Sequence, residues 1–174
     1  ALRDFRQPFS VITRGPMIVR DADVLAEAAQ RTSVSVTFSV PTLDEDVWRT
    51  TEPGTAPPRQ RLRALSRLVA AGVRTSVGMA PLLPGLSDHP EQLERVVHAS
   101  REAGACGVWA TLLYLRPGTR EHFLACLARA WPELLPDYER LSAGRAYLTN
   151  EPVQPARARV RDLDALDGAV VEVH

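Results

Sequence analysis

The sequence predicts an α/β protein with a parallel β-sheet. Three observations indicate this class: four short apolar runs, helical spacing of apolar residues between them, and glycine or proline where the helices should end. A short run that is apolar throughout is typical of a strand buried on both faces. Strands separated by helices pair in parallel, because a crossover connection returns the chain to the same end of the sheet.

The four apolar runs are predicted to be the strands. They lie at Pro8 to Thr13, Val34 to Val40, Val73 to Leu83 and Gly107 to Leu115. The segments between and after them carry the helical signals. We expect helices over residues 21–30, 59–71, from about 88 to the glycine at 104, and over 119–130. The second is the clearest, because Leu62, Leu65 and Leu68 share one face and Gly72 follows as a C-terminal stop.

A β-α unit repeated four times is compatible with two architectures. One is an open, doubly wound sheet, and the other is part of a β/α barrel. A complete barrel has eight units and about 250 residues, so a barrel in this chain of 174 residues would be an arc. We expect this partial barrel to occupy residues 1–148. From residue 149 the hydrophobic period weakens, and 149–174 are predicted to form a loosely ordered tail.

Composition excludes several classes of function. The 21 basic and 21 acidic residues cancel, so no overall positive field favours nucleic acid or an anionic membrane. All the basic residues are arginine, which excludes Schiff-base lysine chemistry and the lysine of phosphate-binding loops. No run approaches the roughly 18 apolar residues that span a membrane. We therefore expect a cytoplasmic protein without a membrane partner.

The two cysteines do not form a metal-binding motif. Cys106 and Cys126 are 20 residues apart, so they provide no CxxC pair and no zinc or iron-sulfur ligand set. We expect both to be small, buried apolar side chains. We therefore predict that this chain contains no metal site.

The residues at the ends of the strands are the candidates for a binding site, because ligands of parallel α/β folds lie at the carboxyl ends of the strands. Arg14 supplies a fixed positive charge there, Ser39 supplies a hydroxyl, and Ala80 leaves its backbone accessible. Structural interpretations stay open at this point. Arg14 could instead pair with Asp21 or Asp23, and Ser39 could satisfy a neighbouring backbone group.

Four segments together resemble a known family. VITR, VSVTFSVPTLDEDVWRTTEPGTAPPRQRL, MAPLLPGLSD and LLYLRPGTREHF are similar to segments of the radical S-adenosylmethionine (SAM) proteins related to spore photoproduct lyase. They are most similar to an actinobacterial branch of unassigned substrate. The resemblance covers about residues 1 to 148. Its most specific part is EPGT followed by RL, after a strand that ends in SVP.

The resemblance implies a six-unit partial β/α barrel that binds SAM and a four-iron four-sulfur cluster. In that family the cluster is held by a CxxxCxxC loop after the first strand, and this sequence contains no such loop. The four strands would then be the family's third to sixth, and the chain would be the C-terminal portion of such an enzyme or a truncated relative. Neither cysteine matches a cluster ligand, so the cluster is expected only in the full-length parent.

The resemblance also implies roles for single residues. Arg14 matches a lysine that contacts the SAM carboxylate, Ser39 matches a serine that contacts SAM, and Ala80 matches an alanine whose backbone lies against the adenine. The substitution at Arg14 keeps the charge but changes a point charge into a planar fork. The loop Glu52 to Thr55 is expected to be structural, with a glycine-enabled turn and Glu52 satisfying backbone donors.

The implied chemistry is reductive cleavage of SAM to a 5′-deoxyadenosyl radical, which abstracts hydrogen from an unknown substrate. Without cluster ligands, the isolated chain is expected to be inactive. The alternative is a non-catalytic barrel remnant or a partner-binding module without a cofactor. Nucleic acid is a candidate partner by family analogy only. An uncovered strand edge at residues 8–13 favours either a missing N-terminal barrel segment or self-association.

Overall fold

The computed structural model describes Leu2, residues 4–142 and residues 154–169. Its four strands form one sheet and are all parallel: β1 Phe9–Thr13, β2 Val34–Ser39, β3 Arg74–Leu82 and β4 Val108–Leu112. Each lies within one of the four predicted runs. The α/β class is therefore confirmed.

The order of the strands decides between the two architectures. The strands lie side by side in chain order, β1-β2-β3-β4, and the order never reverses. A doubly wound sheet reverses its order at a switch point, whereas a barrel adds each new strand to the same edge. The sheet therefore fits an arc of a β/α barrel. Within the described residues, β1 pairs with β2 alone.

Seven α-helices are found in the described part of the chain. They are α1 Ala22–Ala29, α2 Glu45–Thr51, α3 Pro58–Ala70, α4 Pro90–Glu102, α5 Thr119–Ala130, α6 Leu135–Ser142 and α7 Gln154–Ala169. Short 3-10 helices cover Pro16–Asp21 and Pro132–Leu134. The four predicted helices correspond to α1, α3, α4 and α5, while α2, α6 and α7 were not predicted. No helix in the described residues is long and apolar enough to cross a membrane.

The main core lies between the outer face of the sheet and helices α1, α3, α4 and α7. Side chains alternate along a strand, so every second residue of β2 and β3 points into this core. The strands contribute Val36, Phe38, Val77, Met79 and Leu82, all with no exposed surface. On the opposite face, β2 and β3 carry small or polar residues, β1 contributes the exposed Ile12 and β4 contributes Trp109, and the helices leave this face uncovered.

A second core lies beyond the carboxyl ends of the strands, beneath α5 and α6. Its members include Leu83, Leu115, Leu127 and Tyr138. The Tyr138 hydroxyl donates a hydrogen bond to the carbonyl of Pro84 at 2.8 Å. Burial, with a smaller contribution from the charge of Asp88, raises the pKa of the Tyr138 phenol. Tyr138 therefore stays protonated and holds α6 against the end of β3.

The predicted loose tail is wrong for residues 154–169. They form α7, which packs on α4 and β4, because Ala156, Val160 and Leu163 recur at helical spacing and face the core. The Asp164 carboxylate accepts a hydrogen bond from the Val108 backbone at 2.9 Å and pairs with Arg101 at 2.6 Å. The predicted domain boundary between residues 148 and 149 lies outside the described residues.

Asp164→Ala tests this attachment. The change removes the acceptor of the Val108 N–H and the ion pair with Arg101, and we expect it to lower the free energy of unfolding by about 2 kcal/mol. Urea denaturation followed by circular dichroism measures the change. The control is Asp162→Ala on the same helix. Asp162 is exposed, and its Oδ1 makes a surface ion pair with Arg161 Nε at 3.5 Å, so its loss should change the free energy of unfolding by less than about 0.5 kcal/mol. Equal effects of the two substitutions would contradict the assigned role of Asp164.

Candidate functional site

The register of the sheet brings the predicted site residues together. Ser39 lies opposite Gly78, and Gly78 lies opposite Trp109. Ile12 lies opposite Thr37, so continuing β1 by two residues places Arg14 beside Ser39. Because side chains alternate, all of these residues share the face that the helices leave uncovered.

This face forms a cavity of about 500 Å³, called here the inner cavity. Its size is in the range of small-molecule sites. The three predicted residues all line it, and the complete lining is Ile12, Thr13, Arg14, Thr37, Ser39, Gly78, Ala80 and Trp109. The structure thus brings Arg14, Ser39 and Ala80 to one rim.

Ser39 links β2 to β3. Its hydroxyl donates a hydrogen bond to the carbonyl of Ala80 at 2.8 Å. The interpretation that Ser39 satisfies a neighbouring backbone group is therefore confirmed. A hydroxyl that donates one hydrogen bond can still accept another, so this contact leaves Ser39 able to accept from a ligand.

Arg14 pairs with neither of the acidic residues considered from the sequence. Its Nε lies 2.8 Å from Oε1 of Glu52, so the alternative of a pair with Asp21 or Asp23 is wrong. The reason is the loop after α2, which folds back over the end of β1 and brings Glu52 to the rim. The Arg14 side chain remains 49% exposed, while that of Glu52 is 11% exposed.

Arg61, on the first turns of α3, is fully buried beneath this rim. Its guanidinium donates to four acceptors: the Ala56 carbonyl at 2.8 Å, the Ser39 carbonyl at 2.8 Å, Glu52 Oε2 at 2.7 Å and Thr55 Oγ1 at 2.8 Å. A buried charge is tolerated when it is both paired and hydrogen-bonded. Arg61 meets both conditions and joins the end of β2 to the loop.

The loop Glu52 to Thr55 is built as a turn around these contacts. Gly54 has φ of 79°, a left-handed conformation that favours glycine, as the sequence predicts. The Thr55 hydroxyl donates to the Glu52 carbonyl at 2.8 Å and accepts from the Trp48 indole at 3.0 Å. Glu52 itself contacts two arginine side chains, so the expectation that it satisfies backbone donors is wrong.

The charges of this cluster favour an anionic group. Arg14 and Arg61 carry two positive charges, and Glu52 supplies one negative charge. The net charge at the rim is therefore +1. Arg14 lies at the surface of the cavity, so its guanidinium is the group that a ligand carboxylate would meet.

Trp109 forms one wall of the inner cavity and was missed from the sequence. A Cβ built on Gly78 would lie 2.8 Å from the Trp109 ring, so the absence of a side chain at Gly78 lets the ring lie against β3. The indole stays 38% exposed toward the cavity. Alternation along β4 could have found it, because Val108 faces the core while Trp109 shares the exposed face with Thr111.

A second cavity, of about 490 Å³, lies between the carboxyl ends of the strands and helices α2 and α5. It shares Arg14 with the inner cavity. Its lining is mainly apolar and comprises Arg14, Pro41, Thr51, Glu52, Pro53, Thr55, Pro81, Leu83, Thr111, Leu112, Leu113, Tyr114, Leu115, Thr119 and Phe123. Arg14 therefore lines both cavities, and Glu52 lines the second one.

Comparison with known proteins identifies the family. The sequence model of the radical SAM superfamily matches residues 2–97, more than half of the chain. The chain belongs to the radical SAM superfamily. This radical SAM chain is also 39% identical, over 158 residues, to uncharacterised proteins of Mycobacterium bovis and of the Mycobacterium tuberculosis strains CDC 1551 and H37Rv. The match covers 91% of this chain and 46% of each relative, so the chain spans about half the length of these relatives.

The superfamily in general uses an iron-sulfur cluster, and the cysteines of this radical SAM chain do not fit one. Cys106 lies in the turn before β4, at the amino end of the sheet, and its Sγ accepts a hydrogen bond from Arg74 Nε at 3.4 Å, which raises the pKa of Arg74. The Cys126 thiol lies on α5 and contacts the Thr50 carbonyl at 3.3 Å. No group of three or more metal-ligating side chains occurs in the described residues.

The same contacts correct the prediction that both cysteines are buried. Cys106 is exposed and Cys126 is partly buried. Cys106 is exposed because it belongs to a turn at the edge of the sheet. Cys126 is accessible because α5 packs on α2 across the strand ends instead of entering the main core. Neither cysteine reaches the inner cavity, whose lining contains neither.

Arg61→Lys tests the buried network. A lysine keeps the charge but cannot reach four acceptors from one nitrogen, and each buried acceptor left without a donor costs about 1–3 kcal/mol. We expect the free energy of unfolding to fall by at least about 2 kcal/mol in urea denaturation. Arg63→Lys is the matched control on the exposed side of the same helix and should have little effect. Wild-type stability of Arg61→Lys would show that the network is not a stabilising element.

Proposed function

We propose that this chain is the SAM-binding portion of a radical SAM iron-sulfur enzyme. The finer assignment, to the branch related to spore photoproduct lyase, is part of the proposal and is supported by the four segments quoted above. The observation that carries it is the convergence of Arg14, Ser39 and Ala80 on one cavity at the carboxyl ends of the strands. The superfamily match supplies the identity of the ligand.

The residues of the inner cavity are chemically suited to SAM. The half-exposed guanidinium of Arg14 can bind the carboxylate of the methionine moiety through charge-assisted hydrogen bonds. Ser39 can accept a hydrogen bond from a ligand hydroxyl or amine while it donates to Ala80. Ala80 has a small side chain, so a planar group can approach its backbone. These are the three residues that we propose as the cofactor-binding set.

The reaction of the superfamily, reductive cleavage of SAM and hydrogen abstraction, requires an iron-sulfur cluster that the described cysteines cannot hold. We therefore propose that these 174 residues bind SAM without cleaving it. The ligands of the cluster would have to come from a part of the parent enzyme that this chain does not include.

The experiment compares two ligands that differ in the carboxylate. S-adenosylhomocysteine keeps the amino acid part of SAM, and 5′-methylthioadenosine lacks it. We expect the wild-type chain to bind S-adenosylhomocysteine more tightly in isothermal titration calorimetry. Arg14→Met should remove this preference, weakening S-adenosylhomocysteine by about 10- to 100-fold, because a hydrogen bond to a charged group contributes about 1.5–3 kcal/mol. Binding of 5′-methylthioadenosine should stay within about twofold.

Two further variants complete this experiment. Arg14→Lys should retain part of the preference. A lysine keeps the positive charge but cannot form the two parallel hydrogen bonds that a guanidinium makes to a carboxylate. Arg31→Met is the control. Arg31 lies just before β2, at the opposite end of the sheet from the rim, and makes a surface ion pair with Glu27. Equal affinity of the wild type for both ligands would contradict carboxylate binding at Arg14. Failure to bind either ligand would favour the alternative, a barrel remnant or partner-binding module without a cofactor.

A further inference from the structure

We infer that Glu52 is a positioning residue that sets the preference of the site for a carboxylate ligand. In this role Glu52 does not touch the ligand. It restricts the guanidinium of Arg14 before the ligand arrives. The inference rests on the proposed function, because it concerns the same site and the same ligand group.

Glu52 is itself held in one place. Its Oε2 accepts a hydrogen bond from Arg61 Nη2 at 2.7 Å, and Arg61 has no exposed surface. The Glu52 side chain is 11% exposed. Its backbone carbonyl accepts from the Thr55 hydroxyl at 2.8 Å. The buried Arg61 and the closed turn therefore hold the Glu52 carboxylate in one position at the rim.

Arg14, in contrast, depends on Glu52 for its position. It follows the last residue of β1, and half of its side chain is exposed. Its Nε lies 2.8 Å from Glu52 Oε1. That oxygen has no hydrogen bond of good geometry in the described residues, so the contact is an ion pair without a directed hydrogen bond. The terminal nitrogens of Arg14 make no hydrogen bond to any described residue, which leaves them for a ligand.

This arrangement lowers the cost of binding. Immobilising a long side chain when a ligand binds typically weakens affinity by about two- to tenfold. The ion pair with Glu52 restricts Arg14 in the free chain, so part of this loss is avoided. The affinity gained in this way applies only to a ligand whose carboxylate binds Arg14. A ligand without a carboxylate gains no affinity from it.

Glu52→Asp tests the inference without changing the charge at the rim. The aspartate carboxylate is about 1.5 Å shorter in reach, and it cannot contact Arg61 and Arg14 together. We expect it to stay with the buried Arg61 and to release Arg14. The affinity for S-adenosylhomocysteine should fall about three- to tenfold, while that for 5′-methylthioadenosine stays unchanged. Glu45→Asp is the control, since Glu45 is a 61% exposed glutamate that pairs with Arg49 on α2.

The outcomes separate this inference from the proposed function. A wild-type chain without preference for S-adenosylhomocysteine contradicts the proposed function itself. A wild-type preference that Glu52→Asp leaves intact overturns only the positioning role. An equal loss for both ligands also overturns it, because a purely structural role would weaken the two alike.

A measurement on the wild-type chain covers the case in which Glu52→Asp does not fold. The order parameter of the Arg14 Nε–H bond, from ¹⁵N relaxation of the ligand-free chain, reports how far the side chain is restricted. We expect it to exceed clearly that of Arg63, an exposed arginine on α3. Equal mobility of the two side chains would contradict the positioning role.

Discussion

The guanidinium of Arg61 is buried at the end of β2, and its contacts join that strand to the loop after α2. The Ser39 carbonyl is on the strand, the Ala56 carbonyl and Thr55 hydroxyl are in the loop, and Glu52 leads on to Arg14. A buried cation must keep all of these partners, since each one lost leaves a polar group unsatisfied. The contacts that stabilise the loop are therefore the same contacts that fix the charge facing the cavity.

Much of the fold could be predicted from the sequence, because the period of apolar residues follows directly from burial. The apolar runs located all four strands, and α5 spans the same residues, Thr119–Ala130, as its prediction. The helix α7 was missed because its buried face consists mainly of the small residues Ala156 and Val160, which give a weak hydrophobic signal. The hydrophobic period could not distinguish an arc of a β/α barrel from an open, doubly wound sheet, because both architectures place helices between strands. The order of the strands made that distinction.

The site was predicted less completely, for a physical reason. Position along a strand shows which residues reach the carboxyl ends, so Arg14, Ser39 and Ala80 could be selected from the sequence. Side-chain pairing depends on how a loop folds back in three dimensions, so the partner of Arg14 could not. Glu52 and Arg61 are nine residues apart, at no helical or strand spacing, and their contact exists only because the turn at Gly54 brings α3 under the loop.

We propose that the charged rim at the ends of β1, β2 and β3 binds SAM in the inner cavity. Mapping of backbone amide shifts by ¹H–¹⁵N NMR, during titration of the chain with S-adenosylhomocysteine, locates the residues that the ligand contacts. Binding at this rim predicts the largest shifts at the amides of Gly15, Val40 and Leu82, each within two residues of Arg14, Ser39 or Ala80, and at the Trp109 indole. Shifts confined to the outer surface of α4 and α7, with the strand ends unchanged, would contradict it.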